Sequence, residues 1–219
     1  MNPGILLEYL PLFAKAALVT LKISAIGILI SFAVGLICSG VQYFRIPVLK
    51  QIVSAYIELS RNTPMLVQLF FIYFGLPKIG LTWDRETCAI AALVFLGGSY
   101  MAEAIRSGLE AVEVIQTESA ISLGMNRFQV MCFVVFPQAI AVAFPAIVAN
   151  VIFLIKETSV VSAIALADLM YVAKDLIGND YNTTEALFML VVFYLLILLP
   201  ISLLASYAER RIRYAGFGI

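Results

Sequence analysis

From Leu10 to Val41 the sequence contains only two charged residues, Lys15 and Lys22. A run of that length exceeds the ~20 apolar residues that carry a helix across the ~30 Å hydrocarbon core of a bilayer. Four further stretches of similar character follow, at about 52–76, 87–105, 138–154 and 186–207. A backbone in lipid has no water to bond to, so a spanning segment is a helix or one strand of a closed barrel. None of the five stretches shows the ten-residue alternation of a barrel strand. The expected fold is therefore an all-α membrane protein with five transmembrane helices. Composition agrees: hydrophobic residues are 63% of the chain and charged residues 13%, against roughly 45–50% and 25% in soluble domains.

Composition also removes classes of function. Lys plus Arg and Asp plus Glu both number 14, so no net field draws the chain to nucleic acid. The sequence has no His, which excludes His-based metal sites and His general bases. Cys38, Cys88 and Cys132 stand apart, without ligand-like spacing, and read as small apolar side chains. Glu8 and the lack of an early basic residue argue against a secretory signal. The longest segments outside the spans, about 106–137 and 155–185, are too short for a catalytic domain. Residues 1–219 are expected to form a single transmembrane domain.

Five crossings put the two ends on opposite sides. Arg45, Lys50, Arg106, Arg127, Arg210, Arg211 and Arg213 fall on one side, and Lys78, Arg85, Lys156 and Lys174, mixed with acids, on the other. By the positive-inside bias the N-terminus is outside and the C-terminus cytoplasmic. An odd number of spans excludes two equal inverted halves within one chain, and five helices enclose a solute pathway poorly. A transport role would call for a second such subunit.

Three irregularities interrupt the apolar pattern. In the second span Glu58-Leu59-Ser60-Arg61-Asn62-Thr63-Pro64 precedes the apolar Met65–Leu76 run. Pro64 has no N–H and clashes with the preceding turn, so the helix kinks or restarts there, with Thr63 as N-cap and Pro64 as the first helical residue. Glu58 and Arg61, three apart, are spaced to pair. The segment reads either as a solvated helix end or as a broken helix bordering a cavity. Lys15 and Lys22 share a face of the first span and either snorkel to the interface or line a hydrated space. Lys156-Glu157-Thr158-Ser159 is a polar tetrad between apolar blocks; it is a structural ion pair or a solute-contact element suited to a zwitterionic amino acid. A short helix over 117–124 follows from Thr117 as cap, Glu118 in the first turn and Gly124 at a left-handed end. Ala120, Ile121 and Leu123 give it an apolar face that fits the membrane surface or a partner's groove.

Glu118-Ser119-Ala120, Gly124 and Phe136-Pro137 resemble the EAA motif of bacterial ABC importer permeases, with Ser119 at an alanine position and Phe136 at a leucine position. The polar amino acid uptake branch is resembled further. Glu58 to Gln68 is similar to its E-x-x-R-x-T-P-x-L-V-Q segment, Tyr100 to Gly108 to its A-Y-x-A-E-x-x-R-G/S-G stretch, Phe136-Pro137-Gln138-Ala139 to its L-P-Q-A element, and Lys156 to Ser159 to its K-D/E-T-S element. Ala141 stands where the family often has Arg, and Ile115 where it often has Gly. The resemblance runs from about residue 18 to 213.

The resemblance implies a multi-pass subunit of the bacterial cytoplasmic (inner) membrane that moves a polar or charged amino acid inward. It implies a cytoplasmic coupling helix, 117–124, between spans three and four, docking on an ATPase through Glu118, Ser119, Ala120, Leu123 and Gly124. Lys156, Glu157, Thr158 and Ser159 would lie on the substrate pathway, and Thr63 and Pro64 would form a structural kink. The implied partners are two ABC ATPase subunits, a second permease subunit (the same chain or a homologue) and an extracytoplasmic amino-acid-binding protein. ATP and Mg would be held by the ATPases and no cofactor by this chain, which lacks a G-x-x-x-x-G-K-[ST] phosphate loop. ATP binding would draw two coupling helices together and switch the pathway from inward- to outward-facing. The rival readings are a channel or secondary amino acid transporter not driven by ATP, a small membrane enzyme, and a scaffold.

Overall fold

The computed structural model describes the backbone of residues 3–217 and the side chains of residues 3–212. The side chain of Arg213, one of the basic residues behind the expected orientation, lies outside the described residues. Every regular element among them is helical: α1 (Pro3–Tyr43), α2 (Leu49–Arg61), α3 (Met65–Phe70), α4 (Arg85–Glu110), α5 (Val114–Ser122), α6 (Arg127–Val130), α7 (Phe136–Glu157), α8 (Leu169–Asp180) and α9 (Thr183–Phe217). Wider π turns occupy Phe71–Gly75 and Met131–Val135, and tighter 3-10 turns occupy Leu76–Ile79 and Thr158–Ile164.

Four helical rods are long and apolar enough to cross a bilayer: Pro3–Tyr43, Arg85–Glu110, Arg127–Ile164 and Thr183–Ile212. They contain the expected spans 10–41, 87–105, 138–154 and 186–207. The expected second span, 52–76, is not one rod. It is divided at Asn62–Pro64 into the amphipathic α2 and a shorter apolar piece, Met65–Ile79. The cap also sits one residue later than the sequence suggests. Pro64, with extended backbone (φ −61°, ψ 142°), is itself the N-cap of α3, and Met65 is the first helical residue. A proline at N-cap leaves the residue before it free of the helical conformation that its ring disfavours.

Both π turns end two residues before a proline, Pro77 and Pro137. A proline in a helix removes one N–H and its ring crowds the carbonyl four residues back. The chain answers by widening: the Phe136 N–H reaches the Met131 carbonyl, five residues back. That substitution carries the rod through Pro137 without leaving the membrane-depth backbone unpaired.

The central helix is α4, packed by α1, α2 and α7. Its buried face is rich in small residues, including Ala89, Ala92, Gly97, Gly98, Ser99 and Ala102, which let helices approach closely where lipid gives no hydrophobic drive to associate. At Gly98 a Cβ would lie 2.6 Å from the Tyr56 hydroxyl and 2.7 Å from Val34 Cγ1, so no larger residue fits there. Lys22 forms an ion pair with Glu86 and thereby joins α1 to the start of α4, while Lys15 is exposed. Asp84 caps α4, and the Thr87 hydroxyl, followed by the N–H groups of Thr87 and Glu86, holds the Asp84 carboxyl below its usual range.

A second cluster joins α1 to α8 and α9. Phe13 stacks on Phe193 at 5.5 Å, and the Tyr9 hydroxyl donates to Asp180 at 2.9 Å while accepting from Asn182 at 2.6 Å. Asp168, fully buried, caps α8 by accepting from the Tyr171 and Met170 N–H groups. Burial pushes its carboxyl up from 3.8 to about 6, against the opposing pull of those N–H bonds and of Lys174. Because the folded value lies above the ordinary one, ionising Asp168 weakens the fold. The penalty is absent below about pH 4, grows as pH rises to about 6, and is complete above that, at roughly 3 kcal/mol. Asp168→Asn, which keeps a capping oxygen, should leave the thermal midpoint of the detergent-purified protein unchanged at pH 4 and raise it at pH 8. Equal shifts at both pH values would show that charge burial is not the cause.

Candidate functional site

The break in the second span determines where the polar side chains go. The last carbonyls of a helix run short of intrahelical donors; in α2 the Glu58 carbonyl still accepts from the Asn62 N–H at 3.1 Å, and side chains from the polar segment bond it and the next two carbonyls in order. Asn62 Nδ2 donates to the Glu58 carbonyl at 2.8 Å, Thr63 Oγ1 to Leu59 at 2.8 Å, and Gln68 Nε2 to Ser60 at 2.8 Å. Meanwhile Ser60 Oγ and the Tyr56 hydroxyl both donate to the Phe95 carbonyl of α4 at 2.8 Å. The end of α2 is thus fixed to α4 with Arg61 and Asn62 turned away from that seam.

On the other side of the seam runs a polar groove. Three cavities of about 400, 510 and 570 Å³ share residues with one another. The first two share Gln42, Ser54, Glu103 and Arg106; the second and third share Arg61, Asn62 and Tyr100. The groove starts beside Arg45 and Lys50 and ends at Phe153, Glu157 and Val160. A ladder of alternating charge lies along it. Arg61 bonds Glu103 at 3.1 Å, Arg106 bonds Glu103 through two nitrogens at 3.1 Å, and Arg106 bonds both Glu110 oxygens at 2.8 and 2.9 Å. The Arg61 guanidinium also lies 5.2 Å from the centre of the Tyr100 ring. Arg61 therefore pairs across to α4, not with Glu58 as the three-residue spacing suggested. The Glu103, Arg106 and Glu110 spacing of three and four was a readable signal of part of this ladder; the link to Arg61 was not.

The tetrad Lys156 to Ser159 is divided by the end of α7. Lys156 is exposed, and Glu157 is half-buried and lines the groove with Arg61, Asn62 and Tyr100. Thr158 is buried and donates to the Ile155 carbonyl at 2.7 Å; Ser159 is half-buried. Of the two readings of the tetrad, the structural Lys156–Glu157 ion pair does not form, although Lys156 remains the neighbouring cation. Glu157 makes no hydrogen bond or ion pair among the described residues, although it sits at a helix C-terminus, where an acid is unfavourable.

The helix expected at 117–124 is present as α5, but it begins at Val114 after Glu113. Thr117 and Glu118 therefore lie within it and do not cap or open it. Its end matches the sequence reading: Gly124 has φ 85°, its N–H reaches the Ile121 carbonyl at 2.9 Å, and the Met125 N–H reaches Ala120 at 3.2 Å. These are the paired bonds of a left-handed glycine stop. Ala120 is buried against Ile105, Leu109, Val130, Val135 and Ala139. Ile121 and Leu123 are 52% and 84% exposed, and Glu118 and Ser119 are also exposed. The apolar face expected from Ala120, Ile121 and Leu123 is thus split, one residue seating the helix and two pointing outward.

Residues 27–214 match the family of binding-protein-dependent transport system inner membrane components. The chain belongs to this family. It is 38% identical over 173 residues, 79% of both chains, to a probable glutamine ABC transporter permease protein, GlnP, of Bacillus subtilis. It is 31% identical over 215 residues, 96% of both chains, to a probable amino-acid ABC transporter permease protein, PatM, of Vibrio harveyi. A chain in the crystal structure of an amino acid ABC transporter with histidines superposes with a TM-score of 0.89 at 35% identity, covering 96% of this chain and 99% of that one. The protein is a transport permease subunit of the inner membrane.

Proposed function

We propose that this permease forms half of the membrane pathway of an ATP-driven importer of a polar or charged amino acid. The observation that carries the reading is the unpaired, half-buried Glu157 facing Arg61 and Tyr100 across the last cavity of a continuous polar groove. The names of the relatives support the solute class. A free amino acid brings an ammonium and a carboxylate. Glu157 offers the first a partner, and Arg61, which gives Glu103 only one bond, retains donors for the second. Among the tetrad residues Glu157 takes this role; Lys156 is exposed and does not line this cavity, and the Thr158 hydroxyl is already used.

In this reading the broken element is the fifth crossing. Leu49–Arg61 and Met65–Ile79 hold 13 and 15 residues, about 20 and 23 Å at 1.5 Å per residue, and the two together reach across the ~30 Å core in spite of the bend between them. The N-terminus is outside and the C-terminus cytoplasmic, which puts α5 on the cytoplasmic side as the coupling helix. Ala120 seats it, Gly124 ends it, and Glu118, Ser119, Ile121 and Leu123 face an ATPase. Two ATPases hold ATP and Mg and perform the hydrolysis, a second permease (a copy or a homologue) completes the pathway, and an extracytoplasmic amino-acid-binding protein delivers solute. This chain catalyses no reaction.

Orientation is checked in a Cys132→Ala background, since Cys132 is exposed. A cysteine at Tyr181 should react with an impermeant thiol reagent from outside the cell and one at Phe128 should not; the reverse pattern would overturn the assignment of α5 to the ATPase. Coupling is checked with Leu123→Asp and with Gly124→Val, whose β-branched side chain is poorly tolerated at positive φ. Both variants should insert at normal yield and lose solute-stimulated ATP hydrolysis by the assembled complex. The pathway is checked with Glu157→Gln in proteoliposomes offered L-glutamine, L-arginine and L-histidine. Yield should stay normal while apparent affinity for the transported amino acid falls about tenfold, the loss of one charge-assisted contact. Unchanged uptake across the panel would refute Glu157 as a solute contact.

A further inference from the structure

Pro64 creates a specific vacancy. Its missing N–H would have bonded the carbonyl four residues back, at Ser60. Ser60 is fully buried, in a segment where water does not reach that carbonyl, so leaving it unpaired would be costly. Gln68 fills the vacancy from the next turn of α3. Its Nε2 lies 2.8 Å from the Ser60 carbonyl, 3.0 Å from the Thr63 carbonyl and 2.9 Å from Thr63 Oγ1, three acceptors that share its two hydrogens, the shortest contact going to Ser60. The amide orientation follows from its partners. The Thr63 hydroxyl already donates to Leu59, so every atom facing the amide at this point is an acceptor and only the NH₂ group fits.

The amide oxygen is given up in return. Gln68 is 7% exposed, and its Oε1 is buried without a partner. An apolar side chain would avoid that cost, so burial alone does not account for Gln here; its donors do. Ser60 is where these bonds meet. Its hydroxyl ties α2 to the Phe95 carbonyl and to Ser99 at 2.9 Å in α4, while its carbonyl ties α2 to Gln68 in α3. One residue therefore joins three helices at the point where the chain turns out of line, and Arg61 and Asn62, the next two residues, face the groove.

We infer that Gln68 is a positioning residue for transport: by supplying the donor that Pro64 lacks, it fixes the angle between α2 and α3 and holds Arg61 and Asn62 in the solute groove. This rests on the groove being the solute pathway. Gln68 itself lies outside the groove, against the apolar side of α3 with Leu59, Val67 and Phe71, and touches no solute.

The test is a double-mutant cycle between Gln68→Met and Pro64→Ala in the assembled transporter, read out as thermal midpoint and as uptake of the best-transported member of the L-glutamine, L-arginine and L-histidine panel. Gln68→Met removes the donors and keeps the length. It should lower the midpoint and raise the apparent KM about fivefold or more, with a smaller change in maximal rate, as expected for a misplaced binding contact. Adding Pro64→Ala restores a backbone N–H for the Ser60 carbonyl. The double variant should recover the midpoint but not the KM, because a helix that continues through residue 64 loses the turn that aims Arg61. Should Gln68→Met fail to accumulate, recovery of yield in the double variant is the same positive result. A midpoint or yield that Pro64→Ala does not rescue would overturn the carbonyl assignment, and an unchanged KM in Gln68→Met would overturn the positioning role. Failure of the pathway reading is separable: Glu157→Gln would then leave uptake untouched while the Pro64–Gln68 coupling in the midpoint persisted.

Discussion

The structure depends on one constraint, that a backbone inside a bilayer has only itself and its side chains to bond to. Most of the chain meets it by uninterrupted helix. Each interruption is repaired locally, and the kind of repair decides what the site can do. At Pro137 the backbone widens into a π turn and the helix continues; the π turn before Pro77 leads only into a short 3-10 turn that stops at Gly80. At Pro64 the helix ends, and Asn62, Thr63 and Gln68 supply donors to three successive carbonyls. The first solution keeps a rod; the second makes a corner. Only the corner turns charged side chains away from the helix seam and into a groove.

The same constraint explains why α4 is the organising helix. Lipid tails solvate apolar side chains as well as a neighbouring helix does, so close backbone approach and specific hydrogen bonds must hold the bundle together. Small residues on α4 allow that approach, and carbonyls such as that of Phe95 accept bonds from hydroxyls on α2. With one face of α4 committed to packing, Glu103, Arg106 and Glu110 occupy another. The charge ladder is half-exposed in the single chain, with side-chain exposures of 26%, 31% and 56%, so its members neutralise one another while remaining open to the groove.

Between α4 and α7, the helix stop at Gly124 and the turn of chain after it seat α5 against residues of α4, α6 and α7. Ala120 packs on Val130, Val135 and Ala139, and Val135 closes the π turn ahead of Pro137. Displacement of α5 therefore acts directly on the start of the rod that carries Glu157 at its other end. The seat of α5 and the half-buried Glu157 thus share one rod, Arg127–Ile164, with a π turn near its start.

The sequence by itself determined the membrane setting, the helical class, four of the spans, the break at Pro64 and the glycine stop at Gly124, because each follows from interactions within a few residues: apolar length, a missing N–H, a left-handed φ. It placed the break within one residue and started α5 three residues late, where competing local caps differ little in energy. The partners of the charged groups were decided only by the tertiary structure. Arg61 lies three residues from Glu58 but bonds Glu103, forty-two positions along the chain; Lys22 finds Glu86; and of Lys156 and Glu157, adjacent in sequence, one is exposed and the other half-buried in the groove. Local spacing fixes which pairs are possible, but at membrane depth the burial of each side chain and the approach of neighbouring helices set the dielectric and the geometry, and these choose which pair forms.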